Sequence, residues 1–167
     1  MNFSIWWQAL TTMPSLSSQQ WQQLDIIARW LIATRASVFL MTITSASIGG
    51  LLAWRDDLFN GWLFFLTVVG LTFAHATNNL LNDLTDSAKG VDKNNYYRNQ
   101  YGVHVLEDGL VSKAGFWQYL IFTAAVALLA GALLVWERSG ITLLLMVIGS
   151  FFVLFYIIYI FLISLIL

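Results

Sequence analysis

The chain contains no cysteine and few charged residues. Without cysteine it can form no disulfides, zinc–thiolate sites or cysteine nucleophiles. Only 10% of its 167 residues are charged, against roughly 25% in soluble domains, and 59% are hydrophobic. A net charge of −1 provides no basic field for binding nucleic acid. This composition predicts a protein that lies mostly in lipid.

Four apolar runs define the expected architecture. They predict membrane-spanning helices over about 36–54, 62–81, 116–136 and 141–167. We therefore expect an all-α fold, a multi-pass transmembrane bundle of about four spans. The fourth run continues to the last residue without a polar flank. We interpret the chain as the N-terminal half of a longer membrane domain.

The first 33 residues differ in composition from the spans. Apolar and polar residues interleave over 22–31, which predicts an amphipathic helix lying along the membrane interface. The serines within 15–18 form a suitable start for a helix. The predicted organisation is an interfacial segment over 1–33, followed by a transmembrane domain over 34–167.

One long polar connection, 83–115, separates the second and third spans. The predicted topology places it on the same side of the membrane as the N-terminal segment. Six basic residues flank the spans on that side: Arg29, Arg35, Lys89, Lys93, Arg98 and Lys113. The opposite side has two, Arg55 and Arg138. Because cytoplasmic loops carry the excess of Lys and Arg, we expect the connection to be cytoplasmic.

Amides and carboxylates collect on one face at the end of the second span. At 100° per residue this polar face covers about 100° of the helix surface. It consists of His75, Asn79, Asn82, Asp83 and Asp86. Asp92 follows Gly90, where the chain is expected to leave the helix and can fold back toward the face.

Such a cluster indicates a bound cation. Carboxylates at the border of a bilayer repel one another and are costly unless a positive charge compensates them. Oxygen ligands without cysteine suit Mg²⁺, which takes one or two carboxylates together with substrate phosphate oxygens. Lys89, Lys93 and Arg98 are placed to contact those phosphates. The apolar spans predict that the diphosphate carries a long hydrocarbon.

The sequence NLLNDLTD at 79–86, followed by KGVDK at 89–93, resembles a known motif. It is similar to the first aspartate-rich motif of the UbiA superfamily, the intramembrane aromatic prenyltransferases. The spacing N-D-x-x-D-x-x-x-G-x-D resembles the branch that prenylates 1,4-dihydroxy-2-naphthoate in menaquinone synthesis. Segments 34–35 and 107–112 also resemble segments of the family. The resemblance covers roughly 30–160, the N-terminal half of a typical member.

This resemblance implies Mg²⁺-dependent transfer of a prenyl group from a prenyl diphosphate to an aromatic acceptor. Asn82 and Asp86 match magnesium ligands of the family, and the metal site is completed or supported by Asn79, Asp83 and Asp92. The diphosphate contacts are assigned to Lys89 and Arg98, which with Asn82 and Asp86 form the implied catalytic set, and also to Lys93 and Arg35.

Two departures from the family pattern qualify the expected activity. The family's second aspartate-rich motif lies in its C-terminal half and does not occur in this chain, so we expect no turnover by these residues alone. Arginine is frequent in the family where this chain has His104.

Two other function classes compete with prenyl transfer. One is a cation transport module, although the midsections of the spans carry no ionisable residue, and transport sites usually lie near the middle of the bilayer. The other is a membrane scaffold without catalysis, in which the asparagines hydrogen-bond between helices. A scaffold would tolerate Asn82→Ala and Asp86→Ala.

Overall fold

A computed structural model describes residues 3–89 and 103–166, in which all regular structure is helical. Its elements in chain order are α1 (Phe3–Thr11), α2 (Ser18–Gln22), α3 (Ile26–Ala33), a 3₁₀ turn (Ala36–Val38), α4 (Phe39–Arg55), α5 (Gly61–Lys89), α6 (Lys113–Glu137) and α7 (Ile141–Ile166). The expected all-α fold is confirmed.

Within the described ranges, three segments are long and apolar enough to cross a membrane. They are Ala36–Arg55, Gly61–Ala88 and Lys113–Glu137, and they contain the first three predicted spans. The helix α7 begins at Ile141, as expected, while its membrane crossing stays a prediction. The helix α5 continues to Lys89, so it passes through Asp83, where the polar connection was expected to begin.

The helix α5 is the centre of the bundle and contacts α4, α6 and α7. It approaches α6 closely at Gly70, where an added Cβ atom would lie 3.3 Å from the Cβ of Ala130. Further along, the hydroxyl of Thr77 donates a hydrogen bond of 3.0 Å to the hydroxyl of Thr123. Small residues and interhelical hydrogen bonds hold helices together where lipid removes the hydrophobic drive for their association.

The N-terminal segment folds as three short helices rather than one. Ser17 caps α2 through a capping box with Gln20, which confirms the predicted start near the serines. The chain then breaks before Asp25, whose carboxylate accepts the N–H of Ala28 at 2.9 Å and caps α3. The single amphipathic helix predicted over 22–31 is therefore wrong, because the cap at Asp25 starts a new helix.

These short helices share a core with the ends of α5 and α6. Trp21, Leu80, Val105 and Phe116 are all buried in it. The N-terminal segment thus covers one side of α5 at the end that carries the polar face.

Candidate functional site

The chain turns sharply between α3 and the first candidate span. Arg35 has φ 56° and ψ 52°, a left-handed conformation that costs a non-glycine residue roughly 1–2 kcal/mol. The preceding residue, Thr34, is fully buried, and its carbonyl oxygen accepts a hydrogen bond of 2.9 Å from Nδ2 of Asn79. Because the end of a helix leaves carbonyl groups without intrahelical partners, this amide stabilises the turn.

Arg35 also forms an ion pair with Asp83. One guanidinium nitrogen donates to Oδ1 of Asp83, whose side chain is 3% exposed, whereas that of Arg35 is 27% exposed. A carboxylate buried this deeply requires a compensating charge. The structure therefore joins a predicted diphosphate ligand, Arg35, to a predicted metal ligand, Asp83. Their assigned roles toward substrate and metal stay predictions.

His104 approaches the same carboxylate. Its Nε2 lies 3.8 Å from Oδ1 of Asp83, and its Nδ1 accepts the backbone N–H of Glu107 at 3.1 Å. Since Nδ1 accepts a hydrogen bond, the proton of the neutral ring is on Nε2, on the side of Asp83. The backbone N–H of His104 donates to Asp108 at 2.9 Å. Sequence reasoning assigned no role to His104. The signal in the sequence was the turn at Glu107 and Asp108, which follows His104 by three residues and is the turn that His104 contacts.

Each neighbouring element contacts α5 from a different direction around its axis. Measured from Asn79 at 100° per residue, Leu80 points to about 100°, Thr77 to 160° and His75 to 320°. Leu80 packs in the core shared with the N-terminal segment, and Thr77 bonds to α6. Nδ1 of His75 lies 2.6 Å from the hydroxyl of Thr42 on α4. Asn79 and Asp83, which contact the turn at Thr34–Arg35, point to 0° and 40°, outside the sector between the directions of α6 and α4, from about 160° to 320°.

Asn78 and Asn82 lie in this sector, at about 260° and 300°, and Asp86 borders it at 340°. We call these three residues the open flank of α5. All three are half-buried, and Oδ1 of Asn78 is a buried oxygen without a hydrogen-bond partner among the described residues. The predicted polar face is thus two groups of residues. Asn79 and Asp83 contact the turn at Thr34–Arg35, whereas Asn82 and Asp86 lie at or beside the other sector.

The side-chain oxygens of the open flank suit a magnesium ion that is also bound by a substrate phosphate. Within 3–89 and 103–166, no group of three or more His, Asp or Glu side chains is placed to hold a metal. The flank contributes one carboxylate and two amides. Because Mg²⁺ can be held by one or two carboxylates plus substrate phosphates, this set fits an ion that arrives with a diphosphate better than a resident ion.

An open groove of about 510 Å³ lies between α4 and α5 and extends to the other end of the bundle, where Asn60 and Arg138 line it. Leu71 and Phe64 line it from α5, at about 280° and 300°, in the same sector as Asn82. Leu71 precedes Asn82 by eleven residues, about 16 Å along the helix. The open flank and the groove therefore follow one side of α5.

Four predicted ligands lie at or beyond the end of the described part of α5. Asp92, Lys93 and Arg98 lie outside the described residues, and Lys89 is described only as the last residue of α5. Their assignments stay predictions.

No protein-family model, no curated protein and no solved structure matches the chain.

Proposed function

We propose that the chain binds a magnesium-complexed prenyl diphosphate on the open flank of α5, for transfer of the prenyl group to an aromatic acceptor in the membrane. The observation that carries this proposal is the position of Asn82 and Asp86. They are one helical turn apart at the end of a predicted span, and the same side of α5 continues as a largely apolar groove. A polar site with an apolar groove farther along the same side of the helix matches a diphosphate with a long hydrocarbon tail.

The two groups of polar residues have different roles in this proposal. Asn82 and Asp86 are the metal ligands, and the bound magnesium supplies positive charge to the diphosphate. Asn79 and Asp83 support the site, because they hold the turn at Thr34–Arg35 against α5.

Charge on the leaving group completes the proposal. Lys89, Lys93 and Arg98 are assigned to the diphosphate, where they stabilise the negative charge that develops as the C–O bond breaks. A bond then forms from the prenyl carbon to the aromatic ring, and the ring loses a proton to water. The resemblance to the UbiA motif supports this acceptor class. The proposal also includes four membrane spans and a cytoplasmic position for the polar connection 83–115.

Binding of the diphosphate provides the first test. Calorimetric titration of the purified chain with geranylgeranyl diphosphate should detect binding with Mg²⁺ and none with EDTA. We expect Asp86→Asn and Asn82→Ala each to weaken binding at least about tenfold, equivalent to about 1.4 kcal/mol.

Asp57→Asn is the matched control. Asp57 is an exposed carboxylate between α4 and α5, at the other end of α5, and has φ 57°, a conformation that asparagine tolerates. Its substitution should leave affinity unchanged. Binding that persists in EDTA, or an Asp86→Asn variant that binds as tightly as the Asp57→Asn control, would refute the proposed site.

A further inference from the structure

The helix α1 presents two surfaces of opposite character outside its packed side. Its packed side includes Ala9, which is buried, and Ile5 and Trp6, which pack against the core. A second side carries Phe3, Trp7 and Leu10, which are 68%, 70% and 41% exposed. A third side carries Ser4, Gln8 and Thr11, all exposed.

These sides are separate sectors of the helix. At 100° per residue from Phe3, the apolar exposed residues fall between about 340° and 40°, and the polar exposed residues between about 80° and 140°. The packed residues fall between about 200° and 300°. An ordinary surface helix buries its apolar stripe and exposes only its polar side. Here a second apolar stripe lies unburied beside the polar one.

We propose that this apolar stripe, Phe3, Trp7 and Leu10, inserts into the interfacial region of a lipid bilayer. The polar stripe, Ser4, Gln8 and Thr11, then faces water. This arrangement is typical of a helix lying in the plane of a membrane surface. Tryptophan favours that region because its ring is apolar and its N–H is polar.

The packing of α1 fixes its rotation and its position. Nε1 of Trp6 donates to both carboxylate oxygens of Asp25, at 3.0 and 3.1 Å, which ties α1 to the start of α3. The helix also contacts the 3₁₀ turn at Ala36–Val38, where the first candidate span begins. Leu40 and Met41, in the first turn of α4, are exposed as well. The apolar stripe therefore lies at the end of the bundle where the chain enters its first span.

The lack of charge on α1 distinguishes this lipid contact from the binding of a basic helix to anionic lipids. The sequence of α1, FSIWWQALT, contains no charged residue. Membrane-surface helices that recognise anionic lipids carry Lys or Arg, and their binding falls as salt rises. The α1 stripe should instead insert equally well into zwitterionic and anionic bilayers.

The absence of cysteine allows a direct test with the full chain. Single variants Trp7→Cys and Leu10→Cys, with Gln8→Cys and Thr11→Cys as matched controls one sector away, are labelled with a nitroxide and reconstituted in phosphatidylcholine vesicles. Collision with oxygen reports lipid, and collision with a water-soluble nickel complex reports water. We expect labels at 7 and 10 to favour oxygen and labels at 8 and 11 to favour nickel.

Each other pattern overturns the proposal. Equal nickel accessibility at all four positions means that the apolar stripe lies in water. Protection of positions 7 and 10 from both reagents means that a protein surface covers the stripe, from a second copy of the chain or another partner. If positions 7 and 10 reach lipid only after anionic phosphatidylglycerol is added, the uncharged mode of contact is wrong. All four positions are exposed, so labelling does not disturb the core.

Discussion

Arg35 and Asp83 are 48 residues apart in the chain, and their ion pair joins the start of the first span to the last turns of α5. It acts together with the hydrogen bond from Asn79 to the carbonyl of Thr34, one turn earlier on α5. Both contacts hold the N-terminal segment against one side of α5. Neither contact involves Asn82, which is half-buried on another side of the helix.

Removal of Arg35 should destabilise the fold. The Arg35→Ala variant leaves the buried carboxylate of Asp83 without its guanidinium partner, and we expect a loss of about 3–5 kcal/mol in the free energy of unfolding. Unfolding in mixed detergent micelles, followed by tryptophan fluorescence, measures the difference. The double variant Arg35→Met/Asp83→Leu removes both charges and should recover most of the loss.

The exposed ion pair between Arg55 and Asp56 provides the control. Its side chains are 71% and 50% exposed, so Arg55→Ala should cost under about 1 kcal/mol. Equal losses for Arg35→Ala and Arg55→Ala would show that the Arg35–Asp83 pair contributes no more than a surface contact.

Asp83 and Asp86 should respond differently to the same substitution. Asp83→Asn removes the charge that pairs with Arg35, so it should lower the free energy of unfolding more than it lowers affinity for diphosphate. Asp86→Asn removes the carboxylate of the open flank and should chiefly lower Mg²⁺-dependent affinity. Unfolding and calorimetric titration of both variants give the comparison. If Asp83→Asn abolishes binding in a chain of unchanged stability, Asp83 is a metal ligand and not a supporting residue.

The sequence predicts the helices of the first three runs well because their signal is local. Each of the first three apolar runs is limited by charged or turn-forming residues. The helices α4 and α6 begin and end near such residues, and α5 begins next to Asn60. The start of α2 is equally local, since Ser17 and Gln20 form their capping box within one turn. The break before α3 was missed because the alternation of apolar and polar residues continues through it, and only the cap at Asp25 marks the new helix.

The division of the polar face could not be predicted from periodicity. A helical projection places Asn79, Asn82, Asp83 and Asp86 together because it contains no information about neighbouring elements. The partners of Asn79 and Asp83 are Thr34 and Arg35, which are more than forty residues away in the chain. Tertiary packing therefore decides which polar residues of this face contact the turn at Thr34–Arg35.

The close contact of α5 with α6 leads to the last prediction. A Cβ atom at Gly70 would lie 3.3 Å from the Cβ of Ala130, whereas a Cβ atom at Gly49 on α4 meets nothing within 4 Å. We expect Gly70→Leu to force α5 and α6 apart and to cost about 1–3 kcal/mol. Gly49→Ala should be neutral or slightly stabilising, because alanine favours a helix over glycine by up to about 1 kcal/mol.

A smaller substitution with a compensating partner separates crowding from other effects of replacing Gly70. Gly70→Ala should lower the free energy of unfolding slightly, and Ala130→Gly in the same chain should relieve the contact. A double-mutant cycle measures this coupling, which for directly packed residues is about 0.5–3 kcal/mol. Strict additivity of the two substitutions would mean that Gly70 and Ala130 do not pack against each other, and that α5 and α6 are held by other contacts such as Thr77 with Thr123.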